Sequence, residues 1–482
     1  MENVCEMEAV AIGIRNGITA LTACFAACSL AACSGEPKEA PALVFEAETG
    51  VMNGVEAAPS EAGSSGTGYV TGFDSDTDAL AIRVDAPEEG LYELTVGYRS
   101  AGGDKVSRLS LNGKPFGDLP LAASETFAET YAGKVLLNEG ANEIGFASYW
   151  GWYDLDYVSI RKAAPRPAHA VENKLVNPDA SEEALALHKF LVDQYGKSIL
   201  SGQQTYMDAL RLNWNYGKFP AVAGFDLIEY SPTRAERGSK SEEVENAIKW
   251  HEMGGIVTFA WHWNAPSGLF DSEEQPWWRG FYTEGSSFDV EKALADPESE
   301  EYRLIIRDID VIAGQLKRLQ EARVPVLWRP LHEAEGGWFW WGAKGPEPAK
   351  ELWRLLYDRL TNVHQLNNLI WIWNSERPEW YPGDDTVDIV SVDSYPQPGD
   401  YGPVSRSYDN LVRLVQDKKL VALTENGPIP DPELLRLYEA HWSWFCTWTG
   451  EFIDDGIQND KEHIRYVLNH DYVLTLDELP EF

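Results

Sequence analysis

V-L-W-R-P-L-H-E-A-E-G-G-W-F-W-W-G, Val326 to Gly342, is the stretch that decides the fold of this chain. Apolar residues alternate through Val326, Trp328 and Pro330 and through Leu327 and Leu331, so the run reads as a β-strand. Its end at His332-Glu333 then puts polar groups at a strand mouth, where barrel enzymes keep their chemistry. Parity sets Arg329 and Glu333 on one face and Trp328 and His332 on the other. A core strand running into an ordinary surface loop fits the same residues, so the flanking sequence has to decide between the two.

Outward from this stretch, buried strands alternate with amphipathic helices. The expected strands are residues 199–203, 221–226, 255–263, 326–333, 369–374, 389–395, 421–425 and 442–447. Helical patterns fill the gaps at 182–195, 242–252, 302–321, 349–365 and 408–416. Eight largely apolar strands, each followed by a helix or a long loop, predict a (β/α)₈ TIM barrel over residues 174–482. Its site should lie at the C-terminal strand ends, where the loops after the third and fourth strands are rich in Trp.

The last residues of these strands form an inventory of His262, Glu333, Asp393, Tyr395 and Glu425, with Trp448 just past the eighth. Glu425 closes an apolar strand, L-V-A-L-T-E, and an inward carboxylate there needs a partner or a task. A pair of carboxylates on the fourth and seventh strands meets the requirement of glycoside hydrolysis: one acid for the leaving oxygen, one carboxylate for the oxocarbenium-like centre. Arg329 is placed to lie beneath them and keep one ionised, and Tyr395 to donate to the same anion. H-E-A-E-G is not a zinc protease motif, because Gly336 stands where the second histidine is required. Glu335 rivals Glu333 as the acid but lies past the strand end beside two glycines. Glu376 is expected to be a solvated loop residue and Cys446 an inert core thiol.

Residues 43–161 read differently: short alternating runs separated by turn residues predict an all-β sandwich, or jelly roll. Glu46 and Glu48, expected on one side of the first strand, and Asp154 and Asp156 in the last strand bring oxygen ligands within reach of a hard cation such as Ca²⁺. Tyr149, Trp150, Trp152 and Tyr153 around Gly151 make a sugar-stacking platform or plug the core. A Pro- and Ala-rich linker spans 162–173. Residues 34–42 form a tether, and residues 1–33 end in L-A-A-C, resembling a bacterial lipoprotein signal whose Cys33 carries lipid. The acidic Glu2, Glu6 and Glu8 depart from that pattern, and an uncleaved anchor is the other reading. Both predict an exported, membrane-anchored protein at the cell surface or in the periplasm of a bacterium.

A net charge of −37, from 40 basic and 77 acidic residues, excludes nucleic acid and anionic membrane surfaces as partners and leaves neutral polysaccharides open. Nineteen Trp and twenty-one Tyr suit sugar faces as well as a core. With one cysteine beyond residue 33, the body holds no disulfide framework.

W-R-P-L-H-E-A-E-G-G-W-F-W-W-G, V-D-S-Y and L-T-E-N-G together resemble glycoside hydrolase family 26, mostly β-mannanases, from about Val176 to the C-terminus. The resemblance implies a retaining double displacement on β-mannan and manno-oligosaccharides, with Glu333 as acid/base, Glu425 as nucleophile and no cofactor. It implies that His332 supports Glu333, that Tyr395 positions Glu425, that His262 and Trp448 line the subsite of the attacked sugar, and that Trp338 stacks the leaving-group sugar. The loop leaves open which of Trp277 and Trp278 faces substrate. The family also holds xylanases and β-1,3-1,4-glucanases, and a surface glycan-binding lipoprotein without turnover is the alternative of another class. E-A-E and G-W-Y-D-L-D-Y resemble a family 35 carbohydrate-binding module, which implies a structural Ca²⁺ on Glu46, Glu48 and Asp156 and a glycan contact at Trp150 or Trp152. The chain is expected to act as a monomer.

Overall fold

The computed structural model describes residues 41–481; the expected signal, tether start and Cys33 lie outside them. Eleven antiparallel strands between Leu43 and Lys162 form two facing sheets, a jelly-roll sandwich. The alternation seen in the sequence is the reason: along Ala79–Ala86 every second residue, Leu80, Ile82, Val84 and Ala86, is buried between the sheets.

Eight parallel strands close the barrel: β1 Gly202–Gln204, β2 Val222–Asp226, β3 Ile256–Ala260, β4 Val326–Arg329, β5 Leu369–Asn374, β6 Ile389–Ser394, β7 Leu420–Asn426 and β8 Phe445–Thr447. Helices on the outside cover their second face, which is why these strands are apolar throughout rather than alternating. The 22-residue helix Glu300–Glu321 shows the match: Ser299 caps its N-terminus, and Ile305, Ile309, Ile312, Leu316 and Leu319 at three- and four-residue steps turn inward. Among the described residues no helix is long and apolar enough to cross a membrane.

Several boundaries differ from expectation. The first expected strand splits, Ile199–Leu200 pairing with Val473–Leu474 outside the barrel while Gly202–Gln204 enters it. β3 stops at Ala260 and β4 at Arg329, so His262 and Glu333 stand on the loops just above the strands. Pro330 lacks a ladder N–H, and Leu331 at φ 52° and Glu333 at φ 51° turn the chain back, so strand parity does not extend past Arg329. The expected 349–365 helix begins at Pro346, continues to Tyr357 and ends in a π-turn, Asp358–Val363.

The sandwich strand Ser124–Leu137 lies against the barrel helix Ser405–Leu414. Asp409 is buried at the join: the Tyr131 hydroxyl donates to it at 2.6 Å, Arg166 of the linker bonds it, and Lys134 Nζ stands 3.7 Å away while donating to the Tyr438 carbonyl. His169 of the same linker bridges Asp417 and His441 at 2.8 and 2.9 Å. Removing one member of a buried charge cluster strands the rest. Asp409→Ala should therefore lower unfolding stability by about 3–5 kcal/mol in urea titration, and a loss under about 1 kcal/mol would show the join to be solvated.

Candidate active site

β7 carries Glu425 into the barrel mouth, almost wholly buried. Arg329 Nη2 bonds one of its oxygens and the Tyr395 hydroxyl donates to the other at 2.6 Å. The second arm of the same guanidinium, Nη1, reaches Asp393 at 2.7 Å. Asp393 is fixed in turn by the Thr424 hydroxyl at 2.8 Å and Asn374 Nδ2 at 3.1 Å. Two carboxylates hold Arg329 as a cation, its pKa raised even against burial.

Glu333 approaches from the opposite side. A left-handed backbone is strained for a residue with a side chain, at a cost of about 1–3 kcal/mol, and neighbours must hold it there. Here the Asn374 side-chain oxygen accepts from the Glu333 N–H at 2.8 Å. Trp338 Nε1 donates to Glu333 Oε2 at 2.9 Å. Burial and then the charge of Glu425 push the Glu333 carboxyl up to about 6, so it keeps its proton into mildly acidic solution, as a general acid must. One oxygen from each of Glu333, Asp393 and Glu425 falls within 4.8 Å of the others. Carboxyl groups about 5–5.5 Å apart serve retention, whereas inversion needs about 6.5–9.5 Å to admit a water.

His262 and His332 form the floor on the third side. His262 Nδ1 meets Asp226 at 2.5 Å and its Nε2 faces His332 Nε2 at 3.2 Å. The ring of Trp448 lies 6.1 Å from that of His262.

In the sandwich, Glu46 ends the first strand, but Glu48 stands on the 3₁₀ turn Ala47–Thr49, so no common strand face unites them. The turn brings them to the 65–67 loop instead: Ser65 Oγ donates to Glu46 at 2.8 Å, the Thr67 N–H to Glu48 at 2.9 Å, and the Ser65 N–H to both oxygens of Asp156 at 3.0 Å. The second oxygens of Glu46 and Glu48 are buried without a partner, and burial followed by these two charges raises Asp156. Three converging acids with orphaned oxygens fit a hard cation. Asp154, counted with them from sequence, pairs with Arg99 at 2.8 Å; a bulge between Leu155 and Tyr157 breaks the alternation. Trp152, 70% exposed, sits on a left-handed turn joining the last strand of one sheet to that of the other, while Tyr153 stacks on Phe73 in the core. The Trp150 side chain lies outside the described residues.

The sequence model described as Glycosyl hydrolase family 26 matches residues 176–478, and that described as Carbohydrate binding module (family 35) matches residues 43–163. The chain belongs to glycosyl hydrolase family 26. A protein of Thermothelomyces thermophilus named mannan endo-1,4-beta-mannosidase is 50% identical, over 93% of this chain and 92% of its own. The crystal structure of a Podospora anserina family 26 β-(1,4)-mannanase with a family 35 module superposes with a TM-score of 0.67 at 48% identity, covering 91% of this chain and 98% of that one. A β-mannanase from a termite protist, complexed with a gluco-manno-oligosaccharide, covers 66% of this chain and all of its own at 31% identity and a TM-score of 0.59.

The family 26 barrel thus draws Glu333, Glu425, Arg329, Asp393 and Tyr395 into one bonded group, with His262, His332, Trp338 and Trp448 around it. His332, which the resemblance pairs with Glu333, bonds His262 through Nε2 and carries the Trp341 indole on its carbonyl at 2.9 Å. Trp338 is about half exposed and combines a free ring face with its bond to Glu333; Trp340 and Trp341 are core. Of the loop pair, Trp278 is 50% exposed and Trp277 packs under Arg234 and Arg237. Glu335 is engaged by the Ser375 hydroxyl. Glu376 is not the solvated residue expected but pairs with Arg406 at 3.2 Å. Cys446 is a buried thiol whose pKa burial raises.

Sequence reasoning missed Asn374, Thr424 and Asp226. Asn374 and Asp226 are the last residues of β5 and β2, so the strand-end survey that found Glu425 would have found them had it included those two strands.

Because an acid must be protonated, kcat/KM should fall as pH rises through about 6. The Trp338 indole favours the ionised carboxylate, so Trp338→Phe should move that alkaline limb upward while keeping a ring for stacking. A limb that stays put would detach Trp338 from the acid.

Proposed function

We propose that this protein is an endo-β-1,4-mannanase that cleaves internal β-1,4-mannosidic bonds of mannan, glucomannan or galactomannan with retention. The observation that carries the proposal is the Glu333–Glu425 pair, one carboxyl raised to about 6 and the other bonded by Arg329 and Tyr395. The mannanase names of the relatives support the choice of sugar. Glu333 gives its proton to the glycosidic oxygen as a Glu425 oxygen attacks the anomeric carbon, forming a glycosyl–enzyme ester and releasing the leaving sugar. Glu333, now a carboxylate, takes a proton from water as the water oxygen attacks the same carbon, and Glu425 leaves as a carboxylate. As the ester forms, negative charge leaves Glu425, and Arg329 and Tyr395 then favour its return as leaving group. Trp338 offers its exposed face to the leaving-group sugar.

The sandwich would hold mannan on Trp152, with Glu46, Glu48 and Asp156 binding Ca²⁺ that ties the first turn to the last strand. The L-A-A-C motif ending at Cys33 supports export and lipid anchoring, which radiolabelled fatty acid on wild type but not on Cys33→Ala would test; light scattering would test the monomer.

On mannohexaose and galactomannan the protein should release manno-oligosaccharides whose first-formed anomer is β by proton NMR. An α first product, or release only from xylan or mixed-linkage glucan, would refute the reaction or the sugar. Glu333→Ala should lower kcat about 10²–10⁴-fold on unactivated mannan without unfolding the chain. Chelation should lower the melting temperature and weaken retention on insoluble mannan if the acidic triad holds Ca²⁺; an unchanged melting curve would remove the cation.

A further inference from the structure

Asp226 has no part in the two-carboxylate mechanism, yet it takes three hydrogen bonds at the barrel mouth. It ends β2, and its Oδ1 accepts from the backbone N–H of Ile228 at 2.8 Å and of His262 at 3.1 Å. Those bonds aim Oδ2 at His262 Nδ1, 2.5 Å away, which makes Nδ1 a donor. The ring is then boxed by Phe281, Phe339 and Trp448, their centroids 5.2, 5.5 and 6.1 Å away, and its remaining nitrogen faces His332 Nε2 at 3.2 Å. Two ring nitrogens at that distance share one proton. His332 is driven towards neutrality by burial and then by the His262 charge, so the proton sits on His262 and His332 accepts it.

We propose that Asp226 is a positioning residue for the reaction: through His262 Nδ1 it fixes the ring and keeps a donor proton on Nε2, at the face of the site where the attacked sugar lies. The inference rests on the assignment of that sugar to the subsite beside Glu425. The groups facing His262 are Asp226, Glu425, Arg329, His332 and Glu333; those facing Asp226 from the other side are Arg234 and Glu243. Burial works against charge on His262, but Asp226 and then Glu425 together outweigh it, so the ring titrates above an ordinary histidine. Burial and then Asp226 push Glu243 up to about 7, so that neighbour adds little negative charge in the acidic range where Glu333 works.

Asp226→Asn tests this, because the amide oxygen still accepts from the two backbone N–H groups while its NH₂ cannot accept from Nδ1. The variant should lose about 10- to 100-fold in kcat, on the scale seen when the carboxylate partner of a metal-bound imidazole is removed, with KM changed less than about threefold. In ¹⁵N-histidine NMR of the full chain, with His262→Gln supplying the assignment, the His262 midpoint should fall by about one pH unit or more. In the His262→Gln background, Asp226→Asn should change kcat less than about twofold, because it acts through the ring it no longer has. Full additivity, or an unmoved His262 midpoint with near-normal kcat, would overturn the proposal and leave Asp226 a loop anchor. If Asp226→Asn does not fold, the wild-type spectrum still decides: His262 must keep both ring protons at about pH 6.5, where a free histidine is half titrated, and a neutral ring there refutes it. Inactivity of the wild type on mannan would instead reject the mannanase reading, leaving the NMR result intact.

Discussion

The guanidinium of Arg329, buried between Glu425 and Asp393, is the interaction on which the rest of the site depends. Three carboxyl groups converge at the barrel mouth, and burying even one in its ionised form without a counter-charge costs several kcal/mol. A lysine would offer one point charge; the planar fork of arginine bonds two acids at once and sets their separation. Arg329 is the last residue of β4, its Cα in register with Ala260 of β3, so the charge is fixed by the barrel rather than by a loop. From it the network runs outward through Asp393 to Asn374 and Thr424, and through Asn374 back to the Glu333 backbone. Four consecutive strands, β4 to β7, are stitched around one cation. That stitching is what lets Glu333 stay in a left-handed conformation whose strain would otherwise relax.

The two partners of the reaction then differ by environment rather than by type. Glu425 has the arginine on one oxygen and the tyrosine hydroxyl on the other. Glu333 has burial and the neighbouring anion against its charge, and only the Trp338 indole directly bonded to it in favour. The same logic recurs where the sandwich meets the barrel. Asp409 collects Tyr131, Arg166 and Lys134 from the sandwich and linker, so the module is joined by desolvated charges rather than by an apolar face. Trp152 stays 70% exposed.

Much of this was legible in the sequence because burial period and residue type are local. The eight apolar runs, Glu425 closing L-V-A-L-T-E and the aromatic G-W-Y-D-L-D-Y strand follow from residues adjacent in the chain. What was misjudged depended on where a strand stops. Pro330 ends β4, and the turn after it cancels the parity by which Glu333 had been set beside Arg329; the two meet electrostatically through the barrel mouth instead. Glu48 left the strand at Ala47, and a bulge turned Asp154 towards Arg99. Asp226 was visible as an acid at a strand end, but its role was not, because His262 lies 36 residues away on the loop after β3.

The amino-acid sequence by itself determined the two domains, the (β/α)₈ architecture, the pair of acids and the family, because periodicity, strand-end chemistry and contiguous motifs are properties of short segments. Only the tertiary structure decided which acid holds a proton, which indole bonds it, that His332 answers to His262, and that Asp226 stands behind both. Those outcomes depend on distances of a few ångströms between residues tens to hundreds of positions apart, and on the removal of water around them. No local pattern encodes either.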